Sequence, residues 1–147
     1  MKLQILIPQY KETDDIVKPL LDSIETQQNI DLSKDIGVII VNDGTDVHLS
    51  KELLSSYSFP IEYHLNEHGG VSATRNACLD KATAEYVMFC DADDMFYNVC
   101  GLYLILREMK IGKFDSLVSA FIEETRDPNT KEPLYINHEM DSTFVHG

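Results

Sequence analysis

The sequence predicts an α/β protein with a mostly parallel sheet and helices on both faces. Three observations carry that expectation. Short strand-like runs recur at 3–7, 37–41, 61–65 and 86–90. The segments between them are long enough for helical crossovers, as parallel neighbours require. Polar stretches follow the first, second and fourth runs ("PQYKE", "NDGTD" and "DADD"), and a parallel sheet gathers such strand ends along one edge.

Taken in order, "LQILI" is an apolar run closed by Pro8 and reads as a strand. "DDIVKPLLDSIETQQ" places Ile16, Leu20, Leu21 and Ile24 at helical spacing. Pro19 would break a helix interior, so this helix is expected to start close before it. "GVIIV" is a second buried strand, stopped by "NDG", and "LSKELLSSY" is a short helical stretch. "IEYHL" is a third strand. "GGVSATRNACLDKAT" opens on Gly69 and Gly70 and brings Val71, Cys78 and Ala82 near one helical face. "YVMFC" is a fourth strand and "VCGLYLILREMK" a helix. "DSLVSAFIEE" is a further strand, "RDPNTKEP" a turn rich in breakers, and "LYIN" its hairpin partner. No repeat, low-complexity segment or linker interrupts the chain, so residues 1–147 are expected to form a single domain.

Composition narrows the setting. A chain of 147 residues suits one domain that buries about 68–70% of its unfolded surface. Hydrophobic and charged contents of 44% and 25% are ordinary for a globular protein. With 25 acidic against 12 basic residues the net charge is −13. That argues against nucleic acid as a partner, because phosphate backbones demand clustered Lys and Arg. It is compatible with a cation-assisted site for an anionic ligand. The three cysteines, Cys78, Cys90 and Cys100, are odd in number and form no C-x-x-C, which favours reduced thiols over disulfides or zinc. "MKLQILIPQYKE" is no signal segment. No apolar run approaches the ~20 residues of a membrane span. A soluble, cytoplasmic protein without a transmembrane segment is the expectation.

The most informative stretch is "EYVMFCDADDMFY", where an apolar run ends in Asp91, Asp93 and Asp94. At ~4 Å each like-charged pair costs about 1 kcal/mol in water and about 4 kcal/mol near a protein surface. A bound cation is the first candidate to offset that cost. The topology brings Tyr10, Glu12, Asp43 and the three aspartates to one sheet edge, where ligands of open α/β sheets bind. "HGGVSATRN" adds a glycine-opened helix start that can turn backbone N–H groups toward an anion.

Each motif has a plainer reading by itself. "NDG" is most often a tight turn, and Asp46 beside it a surface or N-cap residue. Arg75 can simply solvate a helix face, and "DADD" can cap the next helix. "HGGVSATRN" fits neither the dinucleotide fingerprint nor the P-loop spacing. A calcium loop starting at Asp91 would put Phe96 in the glycine slot and Leu102 in the glutamate slot, so it fails. The combination, in this order and at these strand ends, favours a ligand site.

The order of "ILIPQYKE", "VIIVNDGT", "HGGVSATRNACLDKATAEYVMFCDADD" and "FVHG" resembles the GT-A fold, family 2 glycosyltransferases, over nearly the whole chain. These enzymes move a sugar from a nucleotide-diphosphate donor to an acceptor. The resemblance implies that Pro8, Tyr10 and Glu12 lie against base and ribose. It implies that Asp43 hydrogen-bonds the base, which favours a UDP-sugar, and that Arg75 faces the nucleotide. Asp91 matches the ribose-side acid of the D-x-D signature and Asp93 the metal-side acid, with Asp94 as a further metal ligand or an orienting neighbour. The metal would be Mn²⁺ or Mg²⁺, which bind by one or two carboxylates plus substrate phosphates. A carbohydrate acceptor and an inverting displacement are implied too.

Two departures stand out. Asn42 occupies a place where relatives often carry aspartate. The general base of the displacement is not identifiable: Glu123, Glu124, Glu139 and Asp141 sit in no supporting motif, and His138 and His146 read as loop residues. Similar enzymes continue beyond the point where this chain stops, so the chain is expected to be the N-terminal, donor-binding part of a longer enzyme. A haloacid-dehalogenase-type phosphatase would carry D-x-D on its first strand. A nucleotidyltransferase would open with a glycine-rich basic loop, which "PQYKE" is not. A non-catalytic nucleotide-sugar-binding module stays open as an alternative.

Overall fold

A computed structural model of the chain describes residues 1–112, 116–117, 121–126, 130 and 133–138. It divides into two compact units, Met1–Leu106 and Arg107–Gly147. The first contains β1 (Leu3–Gln9), α1 (Asp14–Glu25), α2 (Leu32–Asp35), β2 (Ile36–Asn42), α3 (Lys51–Leu54), β3 (Ile61–Leu65), α4 (Val71–Lys81) and β4 (Tyr86–Phe89). Helix α5 spans Gly101–Gly112. The second unit holds an antiparallel hairpin of β5 (Phe121–Arg126) and β6 (Pro133–His138). Among the described residues no helix is long and apolar enough to cross a membrane.

The first four strands form one parallel sheet in the order β3-β2-β1-β4. All seven residues of β2 are buried, because β2 lies inside the sheet with side chains packed on both faces. That is why the two central strands read as nearly continuous apolar runs. Alternation sorts their side chains. Leu3, Ile5 and Ile7 of β1 with Ile36, Val38 and Ile40 of β2 pack against Val17, Leu20, Leu21 and Ile24 of α1 and Leu102 of α5. Leu6, Ile39 and Val41 point the other way, toward Cys78 of α4. Each such side chain contributes about 1.5–3 kcal/mol on burial. The expected parallel α/β architecture is therefore present, with apolar layers on both faces.

Local details differ from the sequence expectations where tertiary context intervenes. Pro8 does not close β1; the strand continues to Gln9. The Leu6 carbonyl accepts from Cys90 N at 3.1 Å. Pro8, two residues on, directs its peptide nitrogen to the same side, where β4 has already ended at Phe89. No ladder partner is lost there. Helix α1 likewise starts at Asp14, well before Pro19, which lies inside it. Pro19 is on the exposed side, so the carbonyl it leaves unbonded faces water. Asp14 and Asp15 favour the helix start electrostatically, and the burial of four apolar residues offsets the proline. Val17 takes the core place expected for Ile16, which is exposed. In α4 the buried residues are Thr74 and Cys78 rather than Val71. The one-turn helix α2 gave no sequence signal. The strand expected over 115–124 begins at Phe121, and its upstream part lies largely outside the described residues. The hairpin pairing with "LYIN" is present in β6.

Candidate functional site

The C-terminal ends of β1, β2 and β4 and the start of α4 enclose a cleft of about 510 Å³. Pro8, Tyr10, Glu12, Asp43, Arg75, Asp91 and Asp93 all line it. These are the nucleotide-site residues named from the sequence, together with one of the two metal candidates. Asp94 is not among the lining residues. Gln9, His68, Gly70, Val71, Thr74 and Ala92 complete the wall. His68 opens the "HGGVSATRN" motif; the glycines signalled this stretch, but nothing in the sequence signalled the histidine.

Asp43 follows β2 directly and is buried. Its Oδ1 accepts from Gly69 N at 2.8 Å, and Gly70 N donates to both oxygens at 3.2 and 3.0 Å. His68 Nδ1 lies 3.1 Å from Oδ2. Burial by itself would raise the Asp43 pKa. The hydrogen bonds from Gly69, Thr74 and Gly70 and the nearby His68 outweigh it, and the carboxyl is held below its ordinary range. Asp43 therefore pins the loop that leads into α4, as well as facing the cleft. Gly44 beside it has φ +68°, and a Cβ there would come within 2.4 Å of His68 N. Gly44→Ala is expected to destabilise the protein by about 1–3 kcal/mol through left-handed strain and this backbone clash. Chemical denaturation measures it, and an unchanged midpoint would contradict the loop contact.

Tyr10 is partly exposed at the cleft rim. Its ring lies 5.3 Å from that of His68, tilted by 32°, and Lys11 Nζ sits 5.0 Å from its centroid. Glu12 Oε2 accepts from Tyr10 N at 2.7 Å, so this carboxylate braces its own turn. The rim thus offers two neighbouring rings to a flat ligand.

Opposite lies the acidic turn. Arg75 Nη2 donates to Asp91 Oδ1 at 2.7 Å, and its guanidinium lies 5.9 Å from the Phe89 ring centroid. Arg75 Nε is buried without a hydrogen-bond partner among the described residues. The turn closes through Asp94 N donating to Asp91 O at 3.1 Å. Asp91 is thus partly neutralised by Arg75, whereas Asp93, equally exposed, pairs with no cation among the described residues. Burial, with Asp91 and Asp93 adding repulsion, raises the Asp94 pKa. Burial and the same three aspartates push the Cys90 thiol up to about 12, so it is an inert neighbour. Among the described residues no cluster of three or more His, Cys, Asp or Glu forms a ready cage for a metal. An all-oxygen set with excess negative charge at a cleft mouth nonetheless fits a hard divalent ion. Such an ion takes one or two protein carboxylates and completes its shell with phosphates and water.

The residues weighed as possible bases belong to the second unit, Arg107–Gly147. Glu123 is exposed on β5, and Glu124 and His138 lie on β5 and β6. Glu139, Asp141 and His146 fall outside the described residues.

Comparison with known proteins gives this geometry a context. The family model "Glycosyl transferase family 2" matches residues 4–144. Glycosyltransferase GlyA of Streptococcus pneumoniae is 34% identical over 96 residues, covering 63% of this chain and 13% of that protein. The chain therefore spans only a small part of that relative's length. Among solved structures, residues 1–349 of S. aureus TarS superpose with a TM-score of 0.68 at 24% identity, over 78% of this chain and 34% of that one; TarS has also been solved with UDP. A mannosyltransferase of Pyrobaculum calidifontis, solved with GDP-Man and Mn²⁺, superposes with a TM-score of 0.61 at 19% identity, over 88% of this chain and 36% of that one. The fold is GT-A. With a matching sequence model over nearly all its length and the same architecture, the chain belongs to glycosyl transferase family 2.

Proposed function

We propose that this chain is the donor-binding part of a glycosyltransferase that takes a UDP-sugar, uses Mn²⁺ or Mg²⁺, and transfers the sugar to a carbohydrate acceptor with inversion. The observation that carries the reading is the cleft itself: aromatic rings and the buried Asp43 on one wall, and Arg75 with the acidic turn on the other. Tyr10 supplies an exposed ring for stacking the base, with Glu12 and Asp43 beside it at the nucleoside end. Asp91, oriented by Arg75, accepts from ribose hydroxyls. Arg75 brings the cationic group of this wall toward the phosphates. Asp93, with Asp94 next to it in the turn, would hold the divalent ion. When bound, that ion would stabilise the charge developing on the leaving diphosphate. The UDP and Mn²⁺ bound by the structural neighbours support this assignment.

The test is thermal stability with UDP in Mn²⁺, in Mg²⁺ and in EDTA. At about 100 times Kd the stabilisation is expected to be about 2.7 kcal/mol, and far smaller with chelator. Equal stabilisation with and without EDTA would remove the metal from the proposal; no stabilisation by UDP would remove the donor.

A second reading, a nucleotide-sugar-binding module without turnover, is favoured by one observation. The two cleft carboxylates outside the acidic turn, Glu12 and Asp43, are both engaged in bonds to loop N–H groups. The reading above uses both at the nucleoside end, which leaves no cleft carboxylate outside the acidic turn assigned to an acceptor hydroxyl. Losing a positioned base costs about 10²–10⁴ in rate. The 147-residue chain is therefore expected to release UDP from UDP-sugars at a trace rate only. Robust acceptor-dependent product, followed with a labelled donor, would overturn that.

A further inference from the structure

We infer that Gln9, Asn42 and Tyr63 act as one positioning unit that sets the nucleoside end of the cleft, and that Asn42 can serve it only as an amide. The inference rests on the donor-site reading above. Gln9 and Asn42 are the last residues of β1 and β2 and are direct register partners. They continue the sheet face that carries Ile7 and Ile40, so the apolar layer gives way to a polar row at the strand ends. Both side chains are 1% exposed.

A buried amide must spend every donor and acceptor it has. Gln9 Nε2 donates to Glu12 O at 2.9 Å and Val47 O at 3.0 Å, and its Oε1 accepts from Tyr63 Oη at 3.1 Å. Asn42 Nδ2 donates to Val47 O at 2.8 Å, with Tyr63 Oη at 3.2 Å and Thr45 Oγ1 at 3.3 Å also in reach. Asn42 Oδ1 accepts from Thr45 N at 2.8 Å. The Thr45 hydroxyl donates to the Tyr10 carbonyl, and Asp43 N donates to Gln9 O at 2.8 Å.

The backbone groups held in this way belong to the two loops that carry Tyr10, Glu12 and Asp43. The loops have no ladder of their own to fix them, and their inward carbonyls need donors. The strand-end side chains supply those donors. Tyr63, from the neighbouring strand, has one hydroxyl proton and gives it to Gln9, which orients that amide. The polar row thus aims the cleft residues through the loops, and of its three members only Gln9 also borders the cleft.

The choice of asparagine follows. A carboxylate at position 42 would still accept from Thr45 N. It would face Val47 O and Tyr63 Oη with no proton to give. Tyr63 would then turn its proton to position 42, leaving Gln9 Oε1 without a donor. An aspartate at this place would therefore disrupt both loops.

The experiment uses the full chain with Tyr63→Phe, Gln9→Glu and Asn42→Asp. Two quantities are read below the melting transition. The first is amide exchange in 10–13 and 43–47, referenced to the amides of β1 and β2. The second is affinity by calorimetry for UDP with Mn²⁺ and for inorganic pyrophosphate with Mn²⁺. Loop exchange is expected to rise while strand exchange holds. UDP affinity is expected to fall about tenfold, the scale of one lost buried hydrogen bond, with pyrophosphate affinity unchanged. Equal loss for both ligands would assign the network to general stability and overturn the inference. So would unchanged loop exchange. If the parent protein binds no UDP, the donor-site reading fails separately, and loop exchange alone decides whether this unit holds the loops. Should Asn42→Asp not fold, Tyr63→Phe removes only one hydroxyl and still decides.

Discussion

Replacing Asp43 with alanine is expected to abolish UDP binding and to cost about 3 kcal/mol of stability, the worth of one to two hydrogen bonds to a charged group. The carboxylate has two tasks in one place. Its oxygens collect the N–H groups of Gly69 and Gly70, and its burial at the end of β2 puts it against the cleft. Without it, the His68–Gly70 entry to α4 loses its anchor and the His68 ring beside Tyr10 moves. Asp43→Asn separates the tasks. It keeps an oxygen for the glycine amides but gives up the contact with His68 and the charge.

The pH dependence carries a sign. The folded pKa of Asp43 lies below its ordinary value, so the folded state favours the ionised form. That contribution is fully present above the unfolded value of about 3.9 and disappears as pH falls through it toward the folded pKa. Asp22 and Asp31 are lowered as well, each chiefly by a lysine partner, but they are common to wild type and variant and cancel in the difference. The stability gap between wild type and Asp43→Asn, from urea melts, should be widest near neutral pH. It should narrow below about pH 4. A gap that stays constant from pH 7 to pH 3 would show that the charge of Asp43 does not stabilise the loop.

The four parallel strands were legible because the sheet is covered on both faces, which leaves apolar runs that turns must punctuate. The misreadings share a cause. Pro8 and Pro19 were judged by local rules, yet whether a missing N–H matters depends on what stands opposite it. For Pro8 that is the end of β4, some eighty residues away in sequence, and for Pro19 it is solvent. The site shows the same division. Tyr10, Glu12, Asp43, Asp91 and Asp93 were legible as a set because parallel topology brings strand ends together, whereas Arg75, within α4, was implied only by the family resemblance. What each side chain touches was not. Asp43 reaches backbone N–H groups, which no residue type announces, and Arg75 reaches Asp91 from a separate element. The polar row of Gln9, Asn42 and Tyr63 looks like ordinary strand-end polarity until its hydrogen bonds are traced.

Asp93→Asn is expected to remove the metal-dependent part of UDP binding while leaving the fold intact. Three aspartates share the turn, but they are not equivalent. Asp91 is paired with Arg75 at 2.7 Å, and Asp94 lies outside the cleft lining. Asp93 is exposed and faces the cleft, which makes it the carboxylate best placed to bind an ion that phosphates also coordinate. Loss of outer partners of metal ligands already costs about 10–100-fold in affinity, and loss of a ligand itself is expected to cost no less. UDP affinity in Mn²⁺ should therefore fall to the level seen in EDTA, where wild type and variant should agree. The free protein should melt at the same temperature or higher, because one of the charges that raise the Asp94 pKa is gone. Asp94→Asn is the control, with a smaller loss. Calorimetry of each protein in Mn²⁺ and in EDTA reads all of these quantities together. A full Mn²⁺ gain retained in Asp93→Asn would move the metal to another aspartate, and a lowered melting temperature would make Asp93 a structural residue of the turn.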